Sequence, residues 1–255
     1  MLRTLIKTEM VKRYSIKLLI RVFIFLSAFG LYLVNKQFII EILTHKFTFG
    51  IANYGITLLH VVWLVFMVMM ISHLFPNEKL SMALRKNAEK NYVEVPNYSQ
   101  LDLMKFVQEE NIKAWKIMLL WLSFNAIWGM LYLFGIMDTA DLFMISVFYF
   151  LCDYICILFF CPFQNFIMKN KCCVNCRIYD WGHFMMFTPM LFIKNFYCWS
   201  LFFTSIVVLI HWEMLYARYP ERFWHGSNQT LQCKNCKDKT CQWKKIGKVA
   251  RSKKE

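Results

Sequence analysis

Apolar residues in this chain gather in long runs separated by short charged intervals, and they do not alternate with polar ones. The first run, 18–34, reads LLIRVFIFLSAFGLYLV, and the second, 51–75, reads IANYGITLLHVVWLVFMVMMISHLF. A polar interval over 76–114 precedes WKIMLLWLSFNAIWGMLYLFGI at 115–136 and DLFMISVFYFLCDYICILFFCPF at 141–163. Runs near 20 residues match the thickness of a bilayer crossed as helix. Only MDTA separates the third and fourth runs, which predicts an antiparallel helical hairpin. The last apolar region is divided. FMMFTPMLFI, 184–193, is too short to cross unaided and contains Pro189; Lys194 and Asn195 interrupt before FYCWSLFFTSIVVLIHWEMLYA at 196–217. The expected fold is an all-α polytopic membrane protein: four clear transmembrane helices plus a C-terminal fifth span, paired with the short or re-entrant arm 184–193. No small-x-small cleavage signal precedes NKQF, so 18–34 reads as an uncleaved span.

The polar interval 76–114 carries six basic and six acidic residues. Ser99 and Asp102 have capping-box spacing, and Leu103, Met104, Val107 and Ile112 suggest one apolar face. An amphipathic surface helix leading into the third span is expected. Membrane domain 1–217 is followed by a basic tail, 218–255, which ends in a disordered-looking KKIGKVARSKKE.

Composition agrees with a membrane protein. Charged residues are 18%, below the quarter usual for soluble domains, against 58% hydrophobic. Only 8 Gly and 5 Pro leave few breaks of the kind many transporters use. The net charge of +14 would point to nucleic acid in a soluble chain, but here lysine and arginine mark cytoplasmic loops. Basic residues by interval run five before 18, two in 35–50, six in 76–114, none in 137–140 and three in 169–183. That alternation puts the N-terminus in the cytoplasm of a plasma or inner membrane. The tail, with eleven basic and three acidic residues, is expected inside too, near anionic lipid headgroups. With the tail outside, Asn228 in NQT would be a glycosylation acceptor instead.

Ten cysteines raise the question of chemistry. Cys152, Cys156 and Cys198 lie inside apolar runs and read as small hydrophobes. Cys161 ends the fourth run in FCPF. Two clusters follow: Cys172, Cys173 and Cys176 in KCCVNC, and Cys233, Cys236 and Cys241 in CKNCKDKTC. A C-x2-C turn can aim two thiolates at one ion, so Cys173–Cys176 and Cys233–Cys236 together suit a tetrahedral zinc site. His183 and His225 stand nearby as further candidates. Cytosolic thiols stay reduced, which favours metal over disulfides. An iron–sulfur cluster is the alternative, although the ferredoxin run C-x2-C-x2-C-x3-C-P is absent.

Ionisable groups inside spans are expensive and invite functional readings. Asp153 lies in mid-span, with His60 or Asn125 as expected partners. Arg21 is expected to snorkel to headgroups, and His211 and Glu213 to reach an interface. Three functions fit: a metal-stabilised assembly protein that recruits a protein partner, an electron-transfer subunit, or a metal-ion or small-solute transporter with Asp153 and His60 in its path. No nucleotide-binding loop, catalytic triad or H-E-x-x-H motif is present, so no enzyme class is assigned.

Overall fold

In apolar surroundings the backbone must satisfy its own polar groups, and helices do so within one segment. The computed structural model describes residues 9–44, 58–75, 81–170 and 172–236. Its helices are α1 Glu9–Val34, α2 Lys36–Thr44, α3 Leu58–Leu74, α4 Met82–Asn87, α5 Gln100–Leu133, α6 Thr139–Leu158, α7 Gly182–Phe187 and α8 Phe196–Arg218. Among the described residues there is no strand; Glu94 and Asn228 form one isolated bridge. Helices α1, α5, α6 and α8 are long and apolar enough to cross a bilayer, whereas α3, at 17 residues, is shorter. The part of the second run at 51–57 and the tail beyond 236, including KKIGKVARSKKE, lie outside the described residues.

Local signals set several boundaries. Ser99 caps α5 by accepting from the Asp102 amide at 3.3 Å, and the helix then continues unbroken through the third run. Leu103 is buried and Val107 packs on the core, but Met104 and Ile112 are exposed, so the apolar face is narrower than expected. The hairpin turn places Gly135 at φ +72°, and a capping box between Asp138 and Asp141 starts α6. Helix α6 stops at Leu158, short of the expected 163, because Cys161–Pro162 begins a π-type turn over Phe163–Met168.

Side-chain contacts sort the helix ends into two levels. At one level, Lys36 pairs with Asp138 and Asp141 at 2.7 Å each, and Trp63 on α3 donates to Ser200 on α8 at 2.7 Å. At the other, Tyr14 on α1 meets Tyr179 at 3.2 Å, and the Tyr14 hydroxyl accepts from the Met82 amide at 3.4 Å. Segments 81–99, 161–170, 172–181 and 219–236 gather at this second level into a cap.

The short arm runs antiparallel to α8. Trp181 Nε1 donates to Glu213 Oε1 at 2.9 Å near one end, and Trp199 Nε1 to the Leu191 carbonyl at 3.1 Å near the other. Helix α7 has 6 residues and the following 3-10 turn, Thr188–Phe192, has 5. Together they rise about 19 Å. Phe184, Met186, Phe187 and Met190 are buried in an arm that α5, α6 and α8 surround, with Phe66 of α3 edge-on to Phe187. The chain therefore returns along α8 to the level it left, and the described cysteines of both clusters sit at the cap end.

Residues 219–236 fold onto that cap. Val95 N donates to the Ser227 carbonyl at 2.9 Å and Gln229 N to the Val93 carbonyl at 2.8 Å. Phe223 is buried against Trp212 and Tyr216, and Trp224 stacks on Phe106 of α5. Asn228 is fully buried: its amide donates to the Arg222 carbonyl at 2.9 Å and its oxygen accepts from Thr230 N at 3.0 Å. In the folded chain the Asn228 amide is thus committed to holding this turn.

Candidate functional site: a charged cluster at the end of an apolar groove

Helix α1 packs on α6, and α3 packs on α8. The gap between the two pairs is a groove of about 1040 Å³. Ile24, Val65, Phe66, Val147, Met186 and Leu201 line its length. Toward the cap it meets a smaller polar pocket of about 90 Å³. Lys17, Arg21, Met69 and Tyr154 line both cavities.

Helical spacing builds this junction. Lys17 and Arg21 are four residues apart on α1; Phe150, Asp153 and Tyr154 share a face of α6. Arg21 Nη1 donates to Asp153 Oδ2 at 2.8 Å and to the Phe150 carbonyl at 2.5 Å. The guanidinium lies 3.9 Å from the Phe150 ring centroid and 3.8 Å from that of Tyr154, a double cation–π contact. Arg21 is only 9% exposed. Asp153 Oδ1 rests against Gly182, where a Cβ would come within 2.8 Å of it. The next residue, His183, meets His73 of α3 edge-on at 4.7 Å. His73 Nδ1 lies 2.9 Å from the Met69 carbonyl. A carbonyl only accepts, so Nδ1 carries the proton. Asp180 accepts from Ser81 Oγ at 3.2 Å. Burial pushes the Asp180 carboxyl up to about 6, against the lowering effect of His73.

These positions correct the expected pairings. Asp153 pairs with Arg21, and neither His60 nor Asn125 reaches it. His60 hydrogen-bonds Tyr197 at the opposite level, 2.5 Å away. Asn125 is buried within α5, donating to its own helix at the Trp121 carbonyl, 2.9 Å away. Arg21 does not snorkel; its charge is neutralised in place. Glu213 pairs with Arg177 in the cap. Arg21 was legible as the lone charge of its run, opposite in sign to Asp153. His73, Asp180 and His183 come from separate elements and carry no spacing signal.

Of the cysteines, Cys161, Cys172, Cys176, Cys233 and Cys236 are spread over the cap end, whereas Cys198 lies in the first turn of α8 at the other level. Cys161 Sγ accepts from Gln164 N at 3.4 Å. Cys172 packs on the core and Cys176 is buried in it, while Cys233 is exposed. Lys86 donates to Cys236 Sγ at 3.5 Å. The Cys173 side chain and Cys241 lie outside the described part. Among the described residues, no three His, Cys, Asp or Glu side chains are arranged to hold a metal ion. His225 lies beside Trp224, and the Gln232 amide donates to its carbonyl at 3.2 Å.

The fold and the lipid-length apolar helices define a multi-pass helical membrane protein. The chain matches no family model, no curated protein and no solved structure, so the reading of its site rests on its own residues.

Proposed function

We propose that this protein holds a long-chain amphiphile in the groove between α1 and α3. In this reading α1, α3, α5, α6 and α8 cross the membrane, the short arm 182–192 carries the chain from the cap back to the start of α8, and the N-terminus and the cap are cytoplasmic. The observation that carries it is the apolar groove of about 1040 Å³ ending at the buried Arg21–Asp153 pair. Ligand sites combine an apolar lining with a few convergent polar groups, and this volume is at the top of their range. The size and polarity of the two joined cavities suit a chain and a headgroup. Asp153 and His60, the residues expected on a transporter path, stand at opposite levels with separate partners, Arg21 and Tyr197.

The test is photocrosslinking of the full-length protein in vesicles with a lipid carrying a photoactivatable group on its acyl chain. Labelling should concentrate on groove residues such as Val65 and Val147, and Ala28→Trp should reduce it by blocking the groove. Equal labelling of the outward-facing Phe23 and Val207 would reduce the groove to ordinary solvation by bulk lipid.

The metal reading of the cysteines keeps one supporting observation. Cys173–Asn175 and Cys233–Asn235 are both 3-10 turns, and Asn175 donates to the Leu231 carbonyl at 3.2 Å. The two C-x2-C turns are thus neighbours in the cap, where zinc would act as a clamp for partner recruitment. Zinc, iron and sulfide measured per purified chain decide it. One zinc supports the clamp, iron with sulfide supports electron transfer, and no metal removes both.

A further inference from the structure

We infer that the groove takes an anionic phospholipid, its phosphate held by Lys17 and Arg21 at the cap end and one acyl chain lying along α1. The inference rests on the groove reading and adds the chemistry of the headgroup.

Charge complementarity carries it. Lys17 is exposed at the junction of the two cavities and has no acidic partner among the described residues. Arg21 uses Nη1 for both Asp153 and Phe150, so Nε and Nη2 are not engaged in that pair. A guanidinium fork next to an ammonium is a phosphate-binding combination. The acids of the same pocket are committed elsewhere: Asp153 to Arg21, Asp180 to Ser81. A zwitterionic headgroup would bring an ammonium with no carboxylate left to receive it. The chain also fits: the groove follows α1 from Lys17 to Ala28. Eleven residues of helix rise about 16 Å, close to the roughly 15 Å of one leaflet's hydrocarbon. A phosphate at Lys17 therefore places the chain end near mid-membrane.

The experiment places the full-length protein in phosphatidylcholine vesicles doped with photoactivatable phosphatidylglycerol or photoactivatable phosphatidylcholine, and maps crosslinked peptides. Groove peptides should label about tenfold more with the anionic probe, the size of one charge-assisted contact. Lys17→Glu should abolish that preference while the zwitterionic probe still enters the groove. Lys12→Glu, an exposed charge change on the same helix, should leave the preference intact. Equal groove labelling by both probes in the wild type overturns the headgroup assignment and leaves the groove reading standing. Labelling no stronger in the groove than on the outward faces of α1 and α8 overturns both. Full displacement of the anionic probe by equimolar free fatty acid makes the ligand a carboxylate and overturns the phospholipid assignment.

Discussion

At the scale of single residues, the Arg21–Asp153 pair dominates. A charge stranded in apolar surroundings costs far more than the net worth of a pair. Asp153→Ala should therefore destabilise the protein by about 3–5 kcal/mol, seen as a lower thermal midpoint in detergent. Joint replacement, Arg21→Met with Asp153→Leu, should recover most of that loss. If the double variant is as unstable as the two single losses added, the pair is not what the fold needs at this position. Asp180 offers a pH test. Its carboxyl is raised from 3.8 to about 6 by burial, so the folded state holds the proton more tightly than the unfolded state. This group favours folding fully below about pH 4 and loses that contribution as pH climbs through 6. The groups facing it are His73 from α3, Ser81, Asp153 from α6 and Tyr14 from α1. Asp180→Asn should raise the thermal midpoint at pH 7.5 and converge with the wild type near pH 4; a pH-independent difference would contradict the assignment.

At the scale of elements, the decisive one is the arm 182–192. A mostly apolar arm this short, with an internal proline, cannot cross a membrane alone, and it exists because α3, α5, α6 and α8 enclose it. Proline is tolerated because Pro189 stands at the start of a 3-10 turn, where its missing donor costs least. The far end is anchored by Phe192, whose ring tip sits where a Cβ on Gly129 of α5 would be, 2.2 Å from it. Gly129→Ala should cost about 1–3 kcal/mol by forcing that ring out, and Phe192→Ala in the same chain should return part of the loss. Additive losses would mean that the two residues do not share this contact. The hydropathy of the arm was visible in the sequence; the enclosure was not, because it depends on helices that are separate in the chain.

At the scale of the whole molecule, the arm makes the passages even in number, and so the described ends of the chain share one level. Basic residues concentrate at that level, in the 161–183 and 218–236 segments, and this supports the proposed reading in which it faces the cytoplasm. Cys233 is an exposed free thiol in the cap. A membrane-impermeant maleimide should label it in inside-out vesicles and leave it unlabelled in right-side-out ones. Labelling with the reverse sidedness would invert the topology and with it the place of the groove's charged end.

Hydropathy alone determined that the chain is helical and membrane-embedded, and it located α1, α5, α6 and α8 to within a few residues except at the start of α1, the merged start of α5 and the end of α6. That follows because the cost of unsatisfied backbone in lipid is paid locally, segment by segment, and so is written in each run. Capping residues wrote the starts of α5 and α6 in the same local way. Pairing was decided only by the tertiary structure. Asp153 looked toward His60 and Asn125 because all three are polar groups within apolar runs, yet packing of α1 on α6 delivered Arg21. The groove, the His73–His183 contact and the seat of Asn228 are likewise gaps and contacts between segments far apart in sequence. No run of residues encodes such a gap, because its shape is set by which helix faces meet.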